Sequence, residues 1–162
     1  MSIRTYTHFW GTRPCNLETR AWSHFYFDAQ MLIKNQIRFL VPGSLQGAVS
    51  GPDKRLIFDL ARCGEYGHFE LYPRHQAFAF CRTDQHDADV LITGLLLSAK
   101  NHMKGWITLT SDGAWEDWEE GRQLCRSVLN YSDENFISAK SDFDSLIERV
   151  IVPPMIREEA RK

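Results

Sequence analysis

The stretch KGWITLTSDGAWEDWEEGRQLCRSVL, residues 104–129, carries the clearest structural pattern in the chain. Its first part, GWITLT, is typical of a strand because tryptophan, isoleucine and threonine suit a pleated, half-buried surface. Ser111 or Asp112 can then cap a helix. The apolar residues of that helix recur near the 3.6-residue period: Trp115, Trp118, Cys125, Val128 and Leu129. We predict a strand, a cap and an amphipathic helix with an acidic outer face, in which Gly121, about 1 kcal/mol worse than alanine, serves close packing.

Upstream of this stretch, three short segments alternate apolar and polar residues with the period of two that half-buried strands show. They are residues 56–60, 69–71 and 77–80, separated by turns at 63–67 and 72–75. A first strand is predicted within residues 2–10, and a further short strand over 37–41. These patterns predict a mixed or antiparallel sheet with a central three-stranded meander.

Helical patterns cover much of the remaining chain. Asp87 or Asp89 can cap the apolar segment AVLITGLLLSAKNH, although its β-branched residues and Gly94 leave a strand as an alternative. A last helix is predicted over residues 141–150. Residues 17–36 allow two interpretations, one long helix or an aromatic strand followed by a helix that Asp28 caps. The predicted fold class is α+β, a sheet packed by two or three helices.

Length and composition match an ordinary globular protein. The 162 residues fit one domain spanning 1–162, with a charged tail expected to fray from about residue 153. Apolar residues make up 43% of the chain, and no apolar run approaches the roughly 18 residues of a membrane span. The N-terminus lacks the apolar core of a signal peptide, and the four cysteines form no CxxC pair. We therefore expect reduced thiols and a cytoplasmic location, with no membrane association.

The net charge of −2 is unevenly distributed along the chain. Residues 1–62 contain eight Lys/Arg against four Asp/Glu, a net of +4, whereas residues 63–162 contain 11 against 17, a net of −6. A bipolar molecule of this kind can orient a charged partner as it approaches. The alternative is that the two halves fold together and their charges interleave.

One cluster contains the residue types that bind zinc. Cys63, His68, His75 and Cys81 supply thiolate and imidazole ligands. Their spacings, Cys-x4-His-x6-His-x5-Cys, are not those of a finger or ribbon, and the predicted meander places His75 in a turn. No metal and no cofactor are therefore expected, and these four residues stay candidates only.

A second cluster, His86, Asp87 and Asp89, combines a histidine with carboxylates. Such a group can bind a divalent metal in a hydrolase, or act as a base with its orienting carboxylate. The alternative is that the same residues form a polar loop that ends at the N-cap of the following helix. They are the candidate catalytic residues, and the chain shows no second His/Asp cluster or nucleophile motif to accompany them.

The helix predicted within 104–129 offers a different kind of site. Trp115 and Trp118 either pack in the core or lie at the rim of its acidic face. The site itself consists of one tryptophan and five carboxylates: Asp112, Trp115, Glu116, Asp117, Glu119 and Glu120. Aromatic anchors within a charged surround are typical of protein interfaces. The carboxylates would repel a phosphate, and the chain lacks the glycine motifs of nucleotide-binding loops. These six residues are the candidate partner-binding site.

The favoured hypothesis is a non-enzymatic protein-binding modulator of bacterial or phage type, inhibitor- or immunity-like, whose acidic helical face meets a basic partner surface. The first alternative is a small metal-assisted hydrolase or nuclease that uses the His/Asp cluster. The second is a nucleic-acid-binding module in the N-terminal half, where basic and aromatic residues interleave: Arg4, Tyr6, Phe9, Trp10, Arg13, Arg20, Trp22, Phe25, Tyr26, Lys34 and Arg38. The sequence leaves the oligomeric state open.

Overall fold

A computed structural model describes residues 5–84 and 86–151, the side chains of residues 86 and 146–151 excepted. Within these ranges the chain forms two three-stranded antiparallel sheets and four α-helices, which confirms the α+β class. In chain order, the elements are β1 (Tyr6–Thr12), α1 (Thr19–Asn35), β2 (Gln46–Gly47), β3 (Leu56–Asp59), β4 (His68–Leu71), β5 (Ala79–Thr83), α2 (His86–Met103), β6 (Ile107–Ser111), α3 (Glu119–Leu129) and α4 (Ile137–Ile151). No helix in the described ranges is long and apolar enough to cross a bilayer.

Strand β1 is the centre of the first sheet, which has the order β5-β1-β6. Its residues alternate between the two faces, so that His8 and Trp10 are buried while Phe9 lies on the outer face opposite Phe80 and Thr110. This alternation follows from the period of two along a strand. The buried face of β1 packs toward the helices.

The second sheet, of order β2-β3-β4, is a three-stranded meander. Strands β3 and β4 coincide with two of the predicted segments, and the two-residue β2 is the third partner. The third predicted segment belongs instead to β5, which pairs with β1. The turn before β5 explains this, because the backbone of Thr12 donates to Gln76 O at 2.9 Å and its hydroxyl accepts from Gln76 N at 2.6 Å. These bonds lead the chain from β4 across to β1.

Helix α2 lies at the centre of the molecule, and all residues from 91 to 100 are buried. The apolar segment after Asp89 is therefore a helix rather than a strand, and a helix that is apolar on all sides is typical of a core position. Lys100, which is 4% exposed, is the charged residue within this buried segment. Its ammonium donates to Ile107 O at 2.6 Å and pairs with Asp142 of α4 at 2.9 Å, so the buried cation is satisfied.

Residues 19–35 form one continuous helix, α1, which decides between the two interpretations of this segment. Its buried residues recur at helical spacing: Trp22, Phe25, Tyr26, Ala29, Leu32 and Ile33. Asp28 is therefore in the middle of a helix rather than at its cap. Residues 37–39 form a 3-10 turn, and only Leu40 bridges to Leu60, so the strand predicted over 37–41 is wrong.

In the 104–129 stretch, β6 agrees with the predicted strand, but the helix begins later than expected. A 3-10 turn, Trp115–Trp118, precedes α3, and Asp112 does not cap it. Gly121 on α3 faces Thr93 and Gly94 on α2, where an added β-carbon would lie 3.1 Å from the backbone nitrogen of Gly94. This close contact confirms the packing role predicted for Gly121. Helix α4 begins before the predicted start, and the predicted frayed tail from about residue 153 lies outside the described residues.

Candidate functional site

The six candidate partner-binding residues lie where β6 leads into α3, and we call this surface the acidic ridge (Asp112, Trp115, Glu116, Asp117, Glu119, Glu120). Two of its carboxylates hold backbone in place: Asp112 Oδ1 accepts from Thr7 N at 2.9 Å, and Asp117 Oδ2 accepts from Ala114 N at 2.7 Å. Trp118, fully buried, anchors the turn beneath them. The ridge is therefore built on backbone fixed by hydrogen bonds and by a core side chain.

The two tryptophans of this segment have different environments. Both rings contact Phe143 of α4, with centroids 5.3 Å from Trp115 and 5.0 Å from Trp118, as expected for residues that eclipse on a 3-10 turn. Trp118 belongs to the core, whereas Trp115 is half-buried at the rim. The guanidinium of Arg122 stacks over the Trp115 ring at 4.2 Å. Trp115 is thus an aromatic side chain at the border of the ridge.

The carboxylates of the ridge differ in their partners. Asp112, Glu116, Glu119 and Glu120 are exposed, and Asp117 is half-buried. Glu119 accepts from Arg122 at 2.8 Å, from Gln123 at 2.8 Å and from Arg126 at 3.2 Å. Burial acts to raise the pKa of Glu119, but the hydrogen bonds from Gln123 and Arg122 outweigh it and lower the pKa. Glu119 is therefore engaged within α3.

A groove of about 390 Å³ lies beside the ridge, between α3 and α4. It is lined by Trp115, Glu119, Arg122, Arg126, Asp133, Phe136, Ile137 and Lys140. Its charges are largely matched, because Arg126 bridges Glu119 and Asp133 at 3.2 and 3.0 Å. Ile137, 65% exposed, adds an apolar surface at the groove.

Two of the three candidate catalytic residues, Asp87 and Asp89, lie in different environments. Asp87 is exposed, whereas Asp89 is 7% exposed and points into the core. Asp89 Oδ1 accepts from His8 Nε2 at 2.5 Å and from Thr83 at 2.6 Å. The side chain of His86 lies outside the described residues. The histidine that contacts Asp89 is thus His8, which lies 81 positions away, and no local motif could have identified it.

His8 links Asp89 to Ser111, because its other ring nitrogen, Nδ1, lies 2.8 Å from the Ser111 hydroxyl. An acid, an imidazole and a hydroxyl in a row resemble the order of groups in acyl-transfer sites. The imidazole is only 1% exposed, however, and the Trp118 ring covers it edge-on at 5.1 Å. Ser111 also accepts from Gly113 N at 3.0 Å. This geometry satisfies buried polar groups and leaves no access for a substrate to the imidazole.

Of the four candidate zinc ligands, the two cysteines are buried in the core and the two histidines are hydrogen-bonded to other groups. Cys63 and Cys81 are buried thiols, and burial raises the pKa of Cys81. His75 Nδ1 is bonded to Thr12 O at 2.9 Å, and His68 lies between two carboxylates. In residues 5–84 and 86–151, with the side-chain exceptions above, no group of three or more histidine, cysteine, aspartate or glutamate side chains could hold a metal ion.

His68 faces a cavity that sequence reasoning did not predict. This seam cavity, of about 330 Å³, lies where the edge strands β4 and β5 of the two sheets come together. Its lining combines aromatic rings with polar and charged side chains: Trp10, Glu65, Tyr66, His68, Glu70, Gln76, Phe78, Ala79 and Phe80. The alternation of Phe78 and Phe80 with alanines predicted a half-buried strand, but the structure leaves both rings exposed. The cavity forms only in the fold, where β1, β5 and the loop before β4 come together.

A third polar cluster joins α1, α2 and the end of α3. Asp28 Oδ2 accepts from His102 Nε2 and from the Tyr131 hydroxyl, both at 2.6 Å. Burial acts to raise the pKa of Asp28, but these two hydrogen bonds outweigh it and lower the pKa. Burial also raises the pKa of Tyr131, and Asp28 adds to that effect. The cluster ties three helices together through one carboxylate.

The aromatic residues of the N-terminal half are mostly core residues. Trp10, Trp22, Phe25 and Tyr26 are each at most 8% exposed. Arg20 and Lys34 stand near opposite ends of α1, about 21 Å apart at 1.5 Å per residue. The described part of this half therefore brings few of the proposed base-stacking rings to a surface beside basic residues, and Arg4 lies outside it.

No protein-family model, curated protein or solved structure matches this chain.

Proposed function

We propose that this chain is a non-enzymatic protein-binding modulator, inhibitor- or immunity-like, that meets a basic partner surface through the acidic ridge. The observation that most supports this is the exposure of Asp112, Glu116 and Glu120 beside the half-buried ring of Trp115. These carboxylates would attract a basic surface, and the tryptophan would supply the apolar contact that charge alone does not give.

The construction of the ridge favours recognition because its backbone is already ordered. The hydrogen bonds of Asp112 and Asp117, together with the buried Trp118, hold the turn in one conformation. A partner would therefore bind without a large loss of backbone entropy, which is a main cost of association. Trp115 lies at the border of the ridge, and tryptophan is one of the residues in which the binding energy of protein interfaces concentrates.

The experiment that tests this proposal is capture of the partner protein from a lysate of the native host. Tagged protein is used at low and high salt, and the captured proteins are identified by mass spectrometry. We expect one dominant basic protein, whose capture weakens at high salt because exposed charges are screened over about 8 Å at physiological ionic strength.

The variant for this test is Glu116→Lys/Glu120→Lys, which leaves the bonds of Glu119 with Arg122 and Arg126 intact. The matched control is Glu18→Lys/Asp53→Lys, which changes the net charge equally at exposed positions near the start of α1. We expect the ridge variant to lose capture and the control to retain it. Equal capture by both, with both proteins folded by circular dichroism, would contradict the proposal.

A further inference from the structure

We propose that the seam cavity is a recognition site for a guanidinium group. The cavity is separate from the acidic ridge, because it adjoins β5 whereas the ridge follows β6, and β1 lies between these strands in the sheet. The inference therefore does not rest on the proposed function. Its volume of about 330 Å³ is at the lower end of the roughly 300–1,000 Å³ of small-ligand sites.

The walls of the cavity are aromatic and unusually exposed. Tyr66, Phe78 and Phe80 are 51%, 66% and 39% exposed. They form one connected group, with ring centroids 6.0 Å apart for Tyr66 and Phe80 and 5.9 Å apart for Phe78 and Phe80. Contiguous groups of exposed apolar side chains are uncommon on soluble proteins, and they often mark a binding site. Each ring face also attracts cations through its quadrupole.

The charges of the cavity favour a cation. Glu65 and Glu70 line it, and Asp59 stands beside it on the far side of His68. His68 donates from Nδ1 to Asp59 at 2.6 Å and from Nε2 to Glu70 at 2.9 Å, an arrangement that needs both nitrogens protonated. These three carboxylates and the imidazolium together carry a net charge of −2, and Arg55 and Arg74 act on Tyr72 next to Glu70. Arg82, the nearest base on β5, is paired with Asp84 at 3.3 Å.

A guanidinium matches this combination of groups better than an ammonium does. It is planar, so it stacks on aromatic rings, and its fork of N–H donors pairs with a carboxylate through two parallel bonds. An ammonium is more strongly hydrated and has no flat face. The guanidinium could come from an arginine side chain of a protein or from a free small molecule, and the same chemistry recognises both.

The test is isothermal titration of the purified full chain with Ac-Gly-Arg-Gly-NH2. The isosteric peptide with citrulline in place of arginine, which is neutral, is the ligand control. We expect the arginine peptide to bind at least about tenfold more tightly than the citrulline peptide. Equal affinities, or no heat from the arginine peptide up to about 10 mM, would overturn the proposal. Agmatine distinguishes the sources: equal affinity for agmatine indicates a free cation, whereas a tighter peptide indicates a protein side chain.

Protein variants locate the binding. Glu65→Gln and Phe78→Ala each remove a cavity group at an exposed position, and we expect each to weaken arginine-peptide binding at least about fivefold. Glu18→Gln, an exposed position just before α1, is the matched control, and we expect it to bind the peptide like the unmodified chain. If Glu18→Gln loses binding as much as Glu65→Gln does, the cavity is not the site.

Discussion

His8 of the central strand and Asp89 of the central helix are joined by a hydrogen bond of 2.5 Å within the core. The same carboxylate accepts from Thr83 of β5, and His8 reaches Ser111 of β6 through its other nitrogen. One aspartate thus links the first sheet to the helix that crosses beneath it. A buried hydrogen-bond network whose groups are all satisfied fixes the relative position of the strands and the helix that it joins.

Replacing Asp89 by alanine should destabilise the protein strongly. His8 and Thr83 would lose their acceptor in a buried site, and each buried donor left unsatisfied costs about 1–3 kcal/mol. Asp87→Ala, two residues away on the same helix but exposed, is the control and should cost no more than about 1 kcal/mol, the usual contribution of a carboxylate in the first turn of a helix. Urea unfolding followed by circular dichroism measures both. Similar midpoints for the two variants would show that the network contributes little.

Local patterns predicted the fold class and most elements, whereas the strand predicted over 37–41 is wrong and the strand predicted within 77–80 has a different partner. The period of two in residues 56–60 and 69–71 gave β3 and β4, and the all-apolar segment after Asp89 gave α2. The partner of β5 was missed, because a strand pattern fixes which residues face inward but not which strand lies beside it. The Thr12–Gln76 bonds that carry the chain to β1 join residues 64 positions apart.

The candidate sites show the same division. The acidic ridge is one short segment, so its members could be listed from the sequence, and the structure refines only their environments. Asp89 was a candidate because of its neighbours His86 and Asp87, yet the histidine that it contacts, His8, lies 81 positions away. The seam cavity combines Trp10, Tyr66 and Phe80 from three parts of the chain. Only tertiary structure could bring these rings together.

Gly121→Ala should destabilise the protein even though alanine is the better helix former. The added β-carbon would overlap Oγ1 of Thr93 and lie 2.8 Å from Thr93 Cβ, where α3 packs on α2. Overpacking of this kind costs about 1–3 kcal/mol, which exceeds the gain of about 1 kcal/mol in helix propensity. Ser127→Ala, exposed on the same helix, should change stability by less than about 0.5 kcal/mol. A stabilised Gly121→Ala protein in thermal unfolding would mean that the helices are not in close contact there.

Asp28 should make stability depend on pH in the acid range. Its pKa is lowered below 3.8 in the folded protein, because the bonds from His102 and Tyr131 outweigh the opposing effect of burial. The carboxylate therefore contributes stability above the unfolded pKa of about 3.9, and that contribution is lost as the pH falls through the folded pKa. The stability gap between the unmodified protein and Asp28→Asn should thus be full at pH 6 and narrow toward pH 2. A gap that stays constant over this range in urea titrations would refute the assignment.

Thiol reactivity should separate Cys15 from the other three cysteines. Cys15 is exposed, whereas Cys63, Cys81 and Cys125 are buried. Burial also raises the pKa of Cys125 to about 12. Because the thiolate is the reactive form, this thiol is protected both by its lack of exposure and by its low degree of ionisation.

In a titration with Ellman's reagent at pH 8, we expect one fast equivalent from the native protein and four after unfolding in urea. Cys15→Ser should remove the fast equivalent and change the free energy of unfolding by less than about 0.5 kcal/mol, because the side chain is exposed. A second fast thiol in the native protein would mean that the core around α2 or between the sheets opens readily, since a buried thiol reacts only after local unfolding exposes it.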